Sequence, residues 1–262
     1  MQIGLGISPT QPYGVAVPAF TPASISGLQL WLDASDASTL FADSAGTTAA
    51  TADGDPVGCW KDKSGNNNNV IQSDGTLKPI FKSAVKNYNG IVRFDGSNDK
   101  LTGTLSPQST TRTIFLVAKR TSAASAWRGA VLLNATDIND ATGTTMYVIQ
   151  QAGTIVNQLN GGRPGPGLEY TYTGNSTNYF IISQTNTLTG SSANLNGVSA
   201  GTVTHASTSI GAGVQVRIGS GRASSTETWY GDIAEVAIYN SVLSPIDIAK
   251  MESYLNLKWS VY

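Results

Sequence analysis

Apolar and polar positions alternate in short runs along most of this chain. In an extended strand the side chains at i, i+2 and i+4 share a face, so such alternation marks a half-buried strand. The runs are Leu28–Leu32, Val57–Lys61, Ile91–Asp95, Thr113–Lys119, Gly129–Leu133, Met146–Gln150, Thr154–Gln158, Tyr179–Gln184, Ala193–Asn196, Val214–Gly219 and Trp229–Tyr239. Thr113–Ala118 is nearly all apolar and suits a central strand covered on both faces. The last run gives way to a different period. After a turn at Asn240–Ser241, the residues Ile248, Met251, Leu255 and Trp259 fall on one side of a helix. Ser244 is placed to cap it, Pro245 suits its first position, and Asp247 suits its positive end.

Turn formers separate the runs: Asp53-Gly54-Asp55-Pro56, Ser64-Gly65-Asn66, Asp74-Gly75, Gly161–Gly167 and Gly219-Ser220-Gly221. Roughly eleven strands and one helix argue for an all-β, two-sheet antiparallel sandwich closed by a short C-terminal helix. The glycine- and proline-rich stretch Gly161–Gly167 is expected to protrude as a loop. Residues 1–26 differ from the rest. They contain Pro9, Pro12, Pro18 and Pro22 and no charged side chain. Proline at that density blocks a helix and weakens strand pairing, which predicts an extended arm over 1–26 ahead of one sandwich domain over 27–262. Ile3, Leu5, Ile7, Val15, Val17 and Phe20 are its anchors. Two placements are open: against a neighbouring subunit, or folded onto its own sandwich.

Composition narrows the function classes. Of the 262 residues 40% are hydrophobic, enough for a core, and only 13% are charged. The net charge of −1 offers no basic stripe for phosphate neutralisation, so nucleic acid is not expected as a partner. Cys59 is the only cysteine, which excludes an intrachain disulfide, and it reads as a small buried hydrophobe. No apolar run has the length of a membrane span, and the first residues lack the pattern of a signal peptide. Synthesis in a cytoplasm is expected, with no membrane partner.

Four blocks together resemble the concanavalin A-like lectin/glucanase superfamily in its laminin G-like branch. They are Leu28-Gln-Leu-Trp-Leu-Asp-Ala-Ser-Asp36, Trp60-Lys-Asp-Lys-Ser-Gly-Asn-Asn-Asn68, Asn89–Leu101, and Ile218-Gly219 followed by Trp229–Trp259. The resemblance implies a jelly roll. It leaves function open, because such folds host lectins, glycosidases, adhesion modules and virion proteins. The layout of a Pro-rich arm ahead of one sandwich is also similar to accessory virion proteins of tailed bacteriophages.

The chemistry is sparse. Glucanases of the superfamily carry Glu-x-Asp-x-x-Glu on one strand, and retaining hydrolysis needs two carboxyls about 5 Å apart. The four glutamates, Glu169, Glu227, Glu235 and Glu252, do not form that pattern. Asp232 and Glu235, three apart on a strand, are expected on opposite faces. The only histidine, His205, reads as a loop residue. Hard oxygen ligands for calcium are available in Asp33, Asp36 and Asp62, and further along in Asp95 and Asp99 beside Asn66 and Asn98, although the same residues are ordinary turn formers. No other cofactor is expected. Glycan binding would use an exposed aromatic platform: Trp127, Tyr170 and Tyr172, with Tyr179 and Trp229 as further candidates, while Trp31 and Trp60 read as core.

The expectation is a non-enzymatic virion structural protein, a capsid decoration or tail accessory, docked through its arm to other virion proteins or to copies of itself. The alternative is a carbohydrate-binding adhesion module for a host surface glycan.

Overall fold

The computed structural model describes residues 19–106, 111–121, 128–133, 177–187, 189–204, 214–221 and 227–262. The strands in chain order are β1 (Leu28–Asp33), β2 (Leu40–Phe41), β3 (Cys59–Trp60), β4 (Val70–Ile71), β5 (Ile80–Lys86), β6 (Asn89–Asp95) and β7 (Leu101–Leu105). They continue with β8 (Arg112–Arg120), β9 (Val131–Leu133), β10 (Phe180–Asn186), β11 (Gly190–Leu195), β12 (Val198–Thr204), β13 (Val214–Ile218) and β14 (Tyr230–Tyr239). The helix α1 spans Pro245–Trp259. The strand runs expected at Met146–Gln150 and Thr154–Gln158, the loop at Gly161–Gly167 and His205 lie outside the described residues.

Two antiparallel sheets form a jelly-roll sandwich. The larger runs β12-β11-β10-β8-β14-β6-β5, with β1 also on β14; the smaller runs β2-β3-β4-β7-β13-β9. Alternation sorts the larger sheet's side chains between two apolar layers. Leu30, Leu32, Val92, Phe94, Ile114, Leu116, Val236 and Ile238 meet Trp60, Val70, Leu101, Val131 and Ile218 in the space between the sheets. Ile91, Phe115, Val117, Ala234, Ala237 and Tyr239 face outward and are covered by Met251, Leu255 and Trp259 of α1. Strand β8 is therefore apolar on both faces because both are covered. Each large aliphatic buried in these layers contributes about 1.5–3 kcal/mol.

The helix starts as its sequence dictates. The Ser244 hydroxyl oxygen accepts the Asp247 N–H at 3.1 Å, Pro245 opens the first turn, and Ser260 closes the helix in the left-handed region at φ 52°. The end of the arm packs on its own domain. Phe20 meets the Tyr254 ring at 5.9 Å, Pro22 is buried, and its carbonyl accepts the Tyr239 hydroxyl at 2.8 Å. The arm anchors Ile3, Leu5, Ile7, Val15 and Val17 lie outside the described residues.

Strand β14 corrects one expectation. Its pairing with β8 shifts between Ile233 and Glu235, so Ala234 is an extra, bulged residue. Asp232 lies opposite Lys119 and Glu235 opposite Val117, two positions apart on β8 and therefore on one face. Asp232 and Glu235 thus both point outward, not to opposite faces. The bulge sits where the other edge of β14 changes neighbour, from β6 at Tyr230–Ile233 to β1 at Glu235–Tyr239.

The bulge carries Glu235 beneath α1. Its buried carboxylate accepts the Trp31 indole N–H at 2.8 Å, the Trp259 indole N–H at 2.6 Å and the Lys258 ammonium at 2.8 Å. Lys258 also donates to Asp33 at 2.6 Å, and Lys63 joins Asp33 at 2.8 Å to Asp36 at 2.9 Å. Burial drives the Glu235 carboxyl above the usual carboxylate range, with the Asp33 charge adding to it against Lys258 and Trp259. Burial opposes ionisation of Asp33 as well, but Lys258 and Lys63 overcome it and hold that carboxyl low.

Two stability predictions follow from β14. Glu235→Ala strands two indole N–H groups and part of the Lys258 charge, so it should cost about 3–5 kcal/mol in denaturant unfolding. A loss under 1 kcal/mol would contradict the lock. Gly231 has φ 152°, and a Cβ there would lie 2.1 Å from the Lys119 carbonyl oxygen. Gly231→Ala should therefore destabilise by roughly 2–4 kcal/mol, because the clash is with the backbone of the central strand β8.

Candidate functional site

Helix α1 covers only part of the larger sheet's outer face. Beyond it, the ends of β5, β6, β8 and β14 line an open polar cleft of about 640 Å³. Alternation sets its floor: Tyr230 and Asp232 from β14, Arg93 and Asp95 from β6, and Lys119 from β8, continued by Thr121. Thr76, Lys78, Ile80, Phe94 and Asp99 complete the lining.

Asp232 is the centre of this floor. It is buried, and Arg93 grips it through two bonds, Nε to Oδ1 at 2.6 Å and Nη2 to Oδ2 at 3.0 Å. The Tyr179 hydroxyl donates to the same Oδ2 at 2.7 Å. A planar guanidinium on a planar carboxylate holds both groups in one orientation. The bond to Asp232 raises the Arg93 pKa, while burial, with Asp232 next in weight, raises that of the Tyr179 phenol. Lys119 and Lys86 approach the Tyr179 ring at 5.7 and 5.4 Å, so cations border the floor.

Tyr230 supplies an aromatic surface. Its side chain is 38% exposed. Gly96, at φ 77°, lies against the ring; a Cβ there would come within 2.6 Å of Tyr230 Cβ. Arg128 lies 6.0 Å from the ring centroid and donates to the Gly96 and Thr228 carbonyls, fixing the loop beside it. Asp99 is buried and accepts the Asp95 N–H at 2.8 Å, and burial pushes its carboxyl up to about 7. The cleft thus offers one ring face, fixed cations and carboxylates, and one carboxyl that is part neutral near pH 7.

The calcium candidates do not converge. Asp33 and Asp36 share Lys63, and Asp36 also accepts the Ser38 N–H at 3.2 Å. Asp62 is filled by backbone donors: Trp31 and Ser64 at 2.8 Å and Asn68 at 3.0 Å. Asp95 accepts the Ser97 N–H at 2.8 Å, an ordinary turn. Among the described residues no three His, Cys, Asp or Glu side chains gather as a metal-ligand set.

The aromatic candidates divide. Trp127, Tyr170 and Tyr172 lie outside the described residues. Trp229 is fully buried between the sheets, its ring 6.4 Å from Phe180, so it is not a platform. Trp31 and Trp60 are buried as expected, and so is Cys59. Tyr179 reaches the cleft only through its hydroxyl. Tyr230, Arg93 and Lys119 escaped the sequence reading. Their signal was a polar or charged side chain at alternate positions near the ends of three otherwise apolar strands.

Neither a family model nor a curated protein matches the chain. Solved structures do. Domain 4 of AbnA, a GH43 extracellular arabinanase from Geobacillus stearothermophilus, in complex with arabinotriose, is 13% identical at a TM-score of 0.58, over 86% of this chain and 98% of that one. A Trypanosoma rangeli sialidase in complex with 2,3-difluorosialic acid is 12% identical at a TM-score of 0.55, over 87% and 33%. A botulinum neurotoxin type C structure, described by the dependence of cell entry on two ganglioside molecules, is 13% identical at a TM-score of 0.53, over 87% and 51%. The chain spans nearly all of the arabinanase domain, about half of the toxin chain and a third of the sialidase. At these identities the likeness is one of fold: a jelly-roll sandwich of two antiparallel sheets.

Proposed function

We propose that this domain binds carbohydrate, holding a glycan in the outer-face cleft without turning it over. The observation that carries the reading is the exposed Tyr230 ring beside the clamped Arg93–Asp232 pair, with Lys119, Asp95 and Asp99 around it. A sugar presents an apolar C–H face and a rim of hydroxyls. An aromatic ring takes the first, and fixed charged groups hydrogen-bond the second. Preorganisation matters because each mobile side chain ordered on binding costs about 0.5–1.5 kcal/mol. Asp232 is already held by three hydrogen bonds.

The arabinotriose complex of the AbnA domain and the ganglioside dependence of the toxin support a glycan as the ligand class. Binding is favoured over hydrolysis by the position of the carboxyls. Asp232 lines the cleft, whereas Glu235 is enclosed under α1 by Trp31, Lys258 and Trp259. The same similar structures, described with arabinotriose and with gangliosides, support this reading over virion docking.

A glycan array with neutral and sialylated oligosaccharides tests it directly. Retention of at least one class is expected, with no release of reducing ends. Tyr230→Ala should weaken that binding about tenfold, near 1.4 kcal/mol, at an unchanged melting temperature. An array on which the wild-type protein retains nothing sinks the reading.

Asp99 gives the binding a pH dependence. A bound sugar removes water from the Asp99 carboxyl, which favours its neutral form further. Affinity should then be full below the free-protein value of about 7 and fall as pH rises through it. Titration calorimetry at pH 5.5 and 8.5 reads this. In Asp99→Asn the affinity should hold across the range, and an equal fall in the variant would exclude Asp99 as the cause.

A further inference from the structure

The charged groups of the outer-face cleft are unevenly paired. Each carboxyl in its lining is already engaged. Asp232 gives its two oxygens to Arg93 and the Tyr179 hydroxyl. Asp95 turns into its own loop and accepts the Ser97 and Asn98 N–H groups at 2.8 and 3.3 Å. Asp99 is buried and accepts the Asp95 N–H at 2.8 Å, and burial pushes its pKa up to about 7, so it carries only part of a charge near neutral pH.

The cations are less well matched. Arg93 is taken by Asp232, and Lys78 donates to the Ala42 carbonyl at 3.0 Å. Lys119 lies directly opposite Asp232 on the neighbouring strand, but the Asp232 oxygens are filled. Its ammonium stands 5.7 Å from the centre of the Tyr179 ring. Lys86 stands 5.4 Å from the same ring and donates to a neutral group, the Ser260 carbonyl, at 2.7 Å. Among the described residues neither ammonium is ion-paired with a carboxylate. Burial, and after it the Lys119 charge, lower the Lys86 pKa, so the two cations repel across one ring. An anion brought beside Lys119 offsets that repulsion and gives its ammonium a charged acceptor.

The spacing suits one sugar unit. Tyr230 stands two positions before Asp232 on β14 and is therefore diagonal to Lys119 on β8. Diagonal neighbours on one face of a sheet lie about 7–8 Å apart. A sugar resting on the exposed Tyr230 ring can carry an acidic substituent to Lys119 without leaving the cleft.

We propose, on the footing that the cleft holds a glycan, that this glycan is anionic: Tyr230 takes the sugar face and Lys119 takes a carboxylate or sulfate on it, with Lys86 adding charge from beside the Tyr179 ring. Neutral sugars of the same core bind more weakly, and binding of the acidic ones fades with salt.

The test is an array on which each sugar core appears in neutral, carboxylated and sulfated form. It is probed with the wild type, Lys119→Met, Lys119→Arg and Tyr230→Ala. The wild type should retain acidic members about tenfold more strongly than the neutral member of the same core, as one charge-assisted hydrogen bond allows. Lys119→Met should abolish that preference and Lys119→Arg should keep most of it, both at an unchanged melting temperature. Raising sodium chloride from about 0.05 to about 0.5 M should shrink it in the wild type. The carboxylated and sulfated forms decide between the two anions. Equal retention of neutral and acidic members overturns the proposal, and so does a preference that survives in Lys119→Met or in salt. In those cases weakened retention by Tyr230→Ala leaves the glycan reading standing. An array on which the wild type retains nothing overturns both.

Discussion

A single extra residue in β14 organises the outer face of this sandwich. Ala234 stands unpaired against β8 where the other edge of β14 passes from β6 to β1. Without it, alternation would point Asp232 and Glu235 to opposite faces and bury one of them between the sheets. The bulge brings both to the outer face, where polar partners exist. Glu235 meets the helix and Asp232 meets the cleft. A buried carboxylate is tolerated only when its acceptor sites are filled. Two indole N–H groups and an ammonium fill those of Glu235, and they come from two distant parts of the chain: Trp31 from β1, Lys258 and Trp259 from the end of α1. The position of the helix follows from that requirement as much as from the apolar contacts of Met251 and Leu255.

The same strand therefore serves two environments. From Glu235 to Tyr239 its outward side chains lie under α1, and Tyr239 reaches the chain entry at Pro22. From Tyr230 to Asp232 they lie in the open cleft. Between them stands Tyr179, packed toward the helix layer by its ring and bonded to Asp232 by its hydroxyl.

Much of this was legible in the sequence, and the parts that were not have a common cause. The long strands β1, β8 and β14 and the capped helix carry long apolar or alternating runs over buried faces, so the side chains alone report them. The short strands Leu40–Phe41 and Val70–Ile71 carry two residues each, too few to show a period. The edge strand Ile80–Lys86 and the interior strand Leu101–Leu105, partly open to water on one face, mix Lys, Ser, Gly and Thr into the pattern because water reaches them. The bulge was invisible for a sharper reason. Ala234 fits either face, so the local alternation reads smoothly through it, and only the pairing with β8 reveals the slip. The expected opposition of Asp232 and Glu235 failed at that one residue. The turn readings of Asp62 and Asp95 succeeded because each accepts the backbone N–H two residues on, a local bond, although Asp62 also takes the distant Trp31 N–H.

The cleft was missed because its members are far apart in sequence and each has an unremarkable neighbourhood. Arg93 sits between Val92 and Phe94, Lys119 between Ala118 and Arg120, and Asp232 between Gly231 and Ile233. What joins them is strand order: β6 and β8 flank β14, so residues opposite Asp232 on both sides become its neighbours. A charged side chain on a central strand is expensive unless partnered. Three of them at matched positions on adjacent strands satisfy one another only in part, because Arg93 takes the carboxylate and leaves Lys119 facing the open space beside Tyr179. That surplus, next to an exposed ring, distinguishes this end of the sheet from a merely solvated one. It ties the ligand reading to the strand order rather than to the fold's name, and the same bulge that secures the helix is what presents it.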